Sequence, residues 1–151
     1  MKKIGFLILA FSVLSFTNLA VIDEARINYD KVIKDKVLCK KMISELEKIK
    51  NNSVVNLAYL GGYKTIWANH VFSPIEKLKT FKEGKKLIDE AVLKEPNNIE
   101  IRFIRLSVQK NAPAFLGYKS NVKEDEEFIR KNRNTVSSEI ISKNIDALLK
   151  R

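Results

Sequence analysis

Apolar residues recur along this chain at three- and four-residue steps, and few helix-breaking residues interrupt them. The 151 residues include only 5 glycines and 3 prolines. Spacing of this kind places apolar side chains on one face of a helix, whereas an all-β fold needs frequent turn residues. We therefore predict an all-α protein. The length suits a single domain.

Six helices with short connections are predicted after residue 20. In chain order they are Ile22–Lys50, Ser53–Val71, Pro74 to about Lys94, Ile99–Lys110, a helix from Ser120 or Asn121 to near Asn132, and a last helix capped by Thr135 or Ser137. Short connections favour antiparallel neighbours. The expected arrangement is therefore three antiparallel hairpins.

The third predicted helix has the clearest start in the chain. Ser73 fits an N-cap, Pro74 fits the first helical turn, and Glu76 completes a capping box. A second box of the Asn-x-x-Glu type is predicted at Asn121 and Glu124. The apolar residues of the third helix are expected to form its core face. They are Ile75, Leu78, Phe81, Leu87, Ile88, Ala91 and Val92.

Glycines inside predicted helices indicate places where another backbone comes close, because glycine lowers helix propensity. Gly61 and Gly62 lie in the middle of the second helix, which is apolar around much of its circumference. We expect this helix to be the most buried one.

The second half of the third helix carries a spacing found in a known repeat family. Gly84, Ile88, Ala91 and Pro96 follow one another as small residue, apolar residue, alanine and terminating proline. This segment resembles the second helix of the tetratricopeptide repeat. The resemblance is divergent and covers about a third of the chain. It implies a right-handed array of helical hairpins with a binding or scaffolding surface, and it implies no catalysis.

The chain carries the segments Ala91-Val92, Pro96–Arg102 and Phe115–Tyr118, and in these it resembles uncharacterised exported bacterial proteins. Its first twenty residues fit an export signal. Lys2 and Lys3 precede the apolar stretch Ile4–Phe16, which is short for a membrane span. We predict a signal peptide over Met1–Ala20, cleaved after Ala20, and one helical domain over 21–151. An uncleaved anchor is the alternative, and would be the chain's one contact with a membrane. The predicted location is the periplasm or cell envelope of a bacterium.

The sequence offers little catalytic or metal-binding chemistry. Cys39 is the single cysteine and His70 the single histidine, so neither an internal disulfide nor a His/Cys metal site is expected. We expect Cys39 to be buried and His70 to be structural. The neighbouring carboxylates of residues 125–127 are expected to be solvated. No cofactor and no small-molecule ligand is evident, and the chain is predicted not to be an enzyme.

The formal net charge of +10 favours anionic partners. Basic and acidic residues are interspersed, however, which is also typical of an ordinary solvated surface. Nucleic acid is not expected as a partner, because no nucleic-acid-binding motif is present.

Two groups of residues are candidates for binding. Arg102, Arg105 and Gln109 form a polar stripe on the fourth helix, where guanidinium groups could bind a partner's carboxylate. The alternative is that these arginines pair with acidic residues of the same chain and only stabilise the fold. The expected partners in that case are Glu83, Asp89 and Glu100.

The second group lies on the apolar loop Asn111–Lys119. Phe115, Leu116 and Tyr118 could form an exposed contact, or the loop could fold back onto the core. These observations predict a non-catalytic binding or scaffold module that contacts an unknown protein partner through a helical groove. The alternatives are a basic protein that adheres to anionic envelope polymers or lipid surfaces, and an enzyme of unrecognised type.

Overall fold

The computed structural model describes residues 18–50 and 53–150, and all regular structure within these ranges is helical. The all-α prediction is confirmed. Helix α1 covers residues 18–28, and the others are α2 (Lys36–Lys48), α3 (Val54–His70), α4 (Pro74–Lys94), α5 (Ile99–Asn111), α6 (Val122–Lys131) and α7 (Glu139–Leu149). Short 3-10 turns cover Lys31–Ile33, Ala114–Leu116 and Arg133–Thr135.

Some sequence predictions concern residues outside these ranges. Residues 1–17 of the predicted signal peptide are among them, and so are residues 51–52, which connect the first two predicted helices. Within the described ranges, no helix has the length and hydropathy needed to cross a bilayer.

The prediction of one long helix over Ile22–Lys50 is wrong. The helix stops at residue 28, and a new one starts at Lys36. Asp35 explains the break, because its backbone is extended and its carboxylate accepts the Leu38 N–H at 2.9 Å. Aspartate is a good N-cap and a poor interior helix residue.

The predicted Ser73 cap of α4 is confirmed, and Ser53 and Asn98 cap α3 and α5 in the same way. The Ser53 hydroxyl accepts the N–H of Asn56 at 3.2 Å, and the Ser73 hydroxyl accepts that of Glu76 at 3.5 Å. The Glu76 side chain forms no hydrogen bond with a described residue, so the predicted capping box is not completed. Asn98 caps α5 by accepting two backbone N–H groups. These local hydrogen bonds fix the starts of α3, α4 and α5.

The caps of the last two helices differ from the prediction. Asn121 precedes α6, but its side chain does not accept a cap hydrogen bond and instead donates to Glu124 Oε2 at 3.2 Å. Ser138, rather than Thr135 or Ser137, caps α7 by accepting the Ile141 N–H at 3.4 Å. Thr135 is unavailable as a cap because it belongs to a 3-10 turn.

Helices α3 and α4 form the most extensive helix–helix contact, and they touch through backbone atoms. A Cβ atom built on Gly84 would lie 2.5 Å from the Gly61 carbonyl oxygen, and one built on Gly61 would lie 2.7 Å from the Gly84 oxygen. Ile88 and Ala91 are fully buried beside this contact. The close approach predicted from the helical glycines is therefore present.

The predicted core face of α4 is only partly correct. Phe81, Ile88, Ala91 and Val92 are buried and Leu87 is half-buried, but Ile75 and Leu78 are exposed. Ile75 and Leu78 belong to the first turns of α4, where the helix borders an open groove instead of another helix.

An aromatic cluster joins α1, α3 and α5. The Tyr29 ring meets the rings of Tyr59, Tyr63 and Phe103 at centroid distances of 5.6, 5.7 and 5.9 Å. The Tyr63 hydroxyl donates to the Ala25 carbonyl at 2.9 Å. Edge-to-face contacts of this kind stabilise a core beyond the area that they bury.

Cys39 is buried, as the sequence predicted, and its thiol lies 3.7 Å from the Tyr63 carbonyl oxygen. Burial raises the pKa of the Cys39 thiol to about 12. We expect native protein to react with a soluble aromatic disulfide reagent at least about tenfold more slowly than guanidinium-unfolded protein, since only the thiolate attacks. Equal rates in the two states would show that Cys39 is accessible.

Gly84→Ala tests the backbone contact. Alanine alone would raise helix stability by about 1 kcal/mol, but here its Cβ would collide with Gly61 and Thr65. We expect a net loss of about 1–3 kcal/mol in the free energy of unfolding, measured by chemical denaturation. Lys86→Ala, at an exposed position of α4, is the control and should stay within about 0.5 kcal/mol. A stabilised Gly84→Ala protein would contradict this packing.

Candidate functional site

The polar stripe of α5 lies against α6 in a buried ion network. Arg105 donates through Nε and Nη2 to the two carboxylate oxygens of Asp125, each at 2.7 Å. Arg102 Nη1 reaches the same carboxylate at 2.7 Å and also contacts Glu124. Asp125 has 0% exposed surface. Two guanidinium groups thus compensate one buried negative charge.

The remaining contacts of Arg102 are also intramolecular. Its Nε donates to the Pro96 carbonyl at 2.7 Å, and its guanidinium lies 4.8 Å from the centroid of the Phe128 ring. The hydrogen bond from Arg102 lowers the pKa of the Glu124 carboxyl. This geometry supports a structural role for Arg102 and Arg105, whereas their role in binding a partner stays a prediction.

The expected counter-charges were wrong. Glu83, Asp89 and Glu100 do not pair with these arginines; Glu124 and Asp125 do. Glu100 instead accepts two hydrogen bonds from Arg26, at 2.7 and 2.9 Å. The expectation of a solvated carboxylate is wrong for Asp125, because folding brings α6 against the stripe.

Gln109, the third residue of the stripe, is fully buried. Its Nε2 donates to Asn121 Oδ1 at 3.4 Å, and its Oε1 has no hydrogen-bond partner among the described residues. Gln109 therefore joins α5 to the start of α6. It does not face open solvent.

One part of the apolar loop folds back onto the core and another part is exposed, so each predicted alternative holds for part of it. Tyr118 is buried, donates its hydroxyl to Asp89 Oδ1 at 2.7 Å, and packs edge-on against Phe81. Phe115 is 86% exposed, and Leu116 is half-buried. Gly117 has φ 64°, a left-handed conformation that turns the chain between the outer and inner residues. The loop thus folds back at Tyr118 and presents Phe115.

An apolar groove of about 550 Å³ opens beside Phe115. Segments from across the chain line it: the turn after α1, the end of α3, the start of α4, the end of α5, the loop and α7. Its apolar walls include Ile33, Ile66, Leu78, Phe81, Phe103, Val108, Phe115, Leu116 and Leu148. The volume is typical of ligand sites, which span about 300–1,000 Å³.

Most polar groups deep in this groove are already bonded within the protein. The Tyr29 hydroxyl lies 3.0 Å from Ser107 Oγ, and Asn111 Nδ2 donates to the Ser107 carbonyl at 2.7 Å. Burial raises the pKa of Tyr29, so its hydroxyl stays neutral. Asn69 and Lys77 also line the groove. Neither side chain forms a hydrogen bond or an ion pair with a described residue. These two groups are available to a ligand.

A second cavity, of about 320 Å³, lies between α2, α3 and α4. Three of the four charged residues that line it pair with one another, since Lys64 Nζ lies 3.0 Å from Glu47 and 4.0 Å from Glu83. The apolar groove is therefore the stronger candidate for a binding site.

His70 has a structural environment. Its Nε2 lies 2.8 Å from the Val32 carbonyl oxygen, and its ring lies 5.8 Å from that of Trp67. In the part of the chain that the structure describes, no group of three or more His, Cys, Asp or Glu side chains could hold a metal ion.

The sequence analysis identified only part of this groove. Phe115 and Leu116 were recognised on the loop, but the other walls come from segments that are distant in sequence. Leu78 also lines the groove, but the sequence assigned it to the core face of the third predicted helix.

In comparisons with known proteins, the chain matches no protein-family model, no curated protein and no solved structure.

Asp125→Ala tests the ion network. It leaves Arg102 and Arg105 partly buried without their shared carboxylate, and removal of one partner of a buried pair costs about 3–5 kcal/mol. Chemical denaturation should show a loss of this size. Glu127→Ala, an exposed change on the same helix, should stay within about 0.5 kcal/mol. Similar stabilities of the two variants would contradict a structural network.

Proposed function

We propose that this protein is a non-catalytic binding module of the bacterial cell envelope, and that its apolar groove receives an amphipathic helix of a protein partner. The observation that carries this proposal is the groove of about 550 Å³, with apolar walls and few polar groups free to bind. An amphipathic helix can place its apolar face in such a groove and keep its polar face in water.

The charged and polar groups along the groove suit an oriented partner. Asp30 and Lys77 both line it and both are exposed. Charges of opposite sign at separate points would favour one direction of a bound helix over the reverse. Asn69 adds a side-chain amide that can donate and accept hydrogen bonds.

We further propose that residues 21–151 form one domain arranged as a right-handed, tetratricopeptide-like array of antiparallel hairpins. The contact between Gly61 and Gly84 supports this arrangement, because close packing through small residues is the feature on which the resemblance rests. Ile88 and Ala91 are buried beside it.

Export follows from the predicted signal peptide over Met1–Ala20. Ile22 is the first buried residue in the described part of the chain, while Leu19 and Ala20 are exposed. Cleavage after Ala20 would therefore leave the core intact, which supports the proposed cut. An uncleaved segment anchored in the membrane is the alternative.

Binding of a neutral naphthylamine dye, which brightens in apolar sites, tests the groove without a known partner. We expect saturable binding that Leu78→Asp weakens by about tenfold or more, because the change places a charge in the groove wall. Leu93→Asp is the matched control, since Leu93 is an exposed leucine of α4 outside the groove. It should leave dye affinity within about twofold, as expected for a surface change.

The partner can be identified with a photo-crosslinking amino acid at Phe115, with the same group at Leu93 as control. Proteins that crosslink only from Phe115 would be analysed by mass spectrometry, and their amphipathic segments synthesised. We expect one such peptide to displace the dye. Dye binding that Leu78→Asp and Leu93→Asp reduce equally would refute the groove as the site.

A further inference from the structure

Exposed large apolar side chains concentrate at one end of the molecule. We call this the groove end and define it as residues 30–36, 69–79 and 111–116, which supply groove walls or adjoin them. Nine large apolar residues are exposed in the described chain, and five of them lie here. They are Ile33, Phe72, Ile75, Leu78 and Phe115.

Two of these five residues are highly exposed and lie outside the groove walls. Phe72 is 99% exposed and Ile75 is 78% exposed, and neither lines the groove. Phe72 lies in the short connection between α3 and α4, where the chain reverses at the edge of the molecule. A single exposed apolar side chain would need no explanation, but a group of them at one end of the molecule indicates a contact surface.

The charged residues of the groove end are mainly basic. The groove end contains five lysines and three carboxylates. The lysines are at positions 31, 34, 36, 77 and 79, and the carboxylates belong to Asp30, Asp35 and Glu76. None of the five lysines forms an ion pair with a described residue. Lys34, Lys77 and Lys79 have no side-chain partner among the described residues, while Lys31 donates to Asn28 Oδ1 at 3.2 Å and Lys36 lies 5.7 Å from the centroid of the Trp67 ring. All five lysines are exposed and can meet an anionic surface, and the chain's overall charge of +10 adds to the attraction.

We propose that the groove end docks on an anionic phospholipid bilayer, with Phe72 and Ile75 in the interfacial region and the lysines against the headgroups. Apolar side chains flanked by lysines are the pattern that binds such interfaces. A bilayer accepts protruding side chains of any arrangement, whereas a protein partner would need a pocket shaped for each.

A second copy of the chain fits this end less well. A twofold contact would bring the same patch of both copies together, and unpaired lysines would then face lysines. The proposal does not depend on an occupied groove, because Phe72 and Ile75 lie outside the groove walls.

Cosedimentation of the full chain with vesicles tests the docking surface. One vesicle set is phosphatidylcholine alone, and the other contains equal parts of phosphatidylcholine and phosphatidylglycerol. We expect binding to the anionic set that falls as salt is raised. Phe72→Ser/Ile75→Ser should weaken that binding by about tenfold or more, because two side chains lose their apolar burial.

Matched controls separate this site from the rest of the chain, including its apolar first twenty residues, which every variant keeps. Leu93→Ser removes an equally exposed apolar side chain elsewhere and should leave binding within about twofold. Lys77→Glu/Lys79→Glu should weaken binding to anionic vesicles by about tenfold or more. Lys123→Glu/Lys131→Glu makes the same charge change on α6 and should weaken it clearly less.

Tryptophan fluorescence gives a direct readout of insertion. In a Trp67→Phe background, Phe72→Trp should shift to the blue on anionic vesicles and be quenched by brominated lipid. The proposal is overturned if all variants bind alike, if neutral and anionic vesicles bind equally, or if Phe72→Ser instead dissolves a dimer seen by sedimentation. Dye binding in the absence of vesicles reports on the groove separately, so failure of one proposal is distinguishable from failure of the other.

Discussion

The backbone contact between α3 and α4 is the constraint on which the other helix positions depend. Gly61 and Gly84 leave no room for a Cβ atom on either side, so the two helices approach as closely as their backbones allow. That approach places the rest of α3 where Tyr59 and Tyr63 can reach Tyr29 after α1. A side chain at either glycine would separate α3 from α4 and loosen the aromatic cluster behind them.

In the second half of the described chain, a buried ion network between α5 and α6 adds to the apolar core. Asp125 is buried and contacts both Arg102 and Arg105, so α6 is fixed against α5 by an ion network. A buried network of this kind adds little net stability compared with an apolar contact, but its geometry is demanding. It therefore selects one position of α6 on α5.

The fold class and most helix starts could be predicted because they depend on neighbouring residues. Ser53, Ser73 and Asn98 cap helices through hydrogen bonds that span two or three residues. The missed break before α2 was also local, since Asp35 is an ordinary N-cap that the apolar periodicity around it concealed. Because the apolar spacing agrees on both sides of the break, periodicity alone predicts one continuous helix.

Contacts between distant segments could not be predicted in this way. The sequence identified Arg102 and Arg105 as a stripe, but several carboxylates were equally plausible partners, and only the packing of α6 selects Asp125. The groove presents the same difficulty, because its walls come from segments between Tyr29 and Leu148. The sequence predicts Leu78 to be a core residue, because the apolar spacing of α4 extends into its first turns. In the described chain, no neighbouring helix covers this face of α4 there. Leu78 thus departs from the periodic expectation and lines the groove, which is a reason to look for function there.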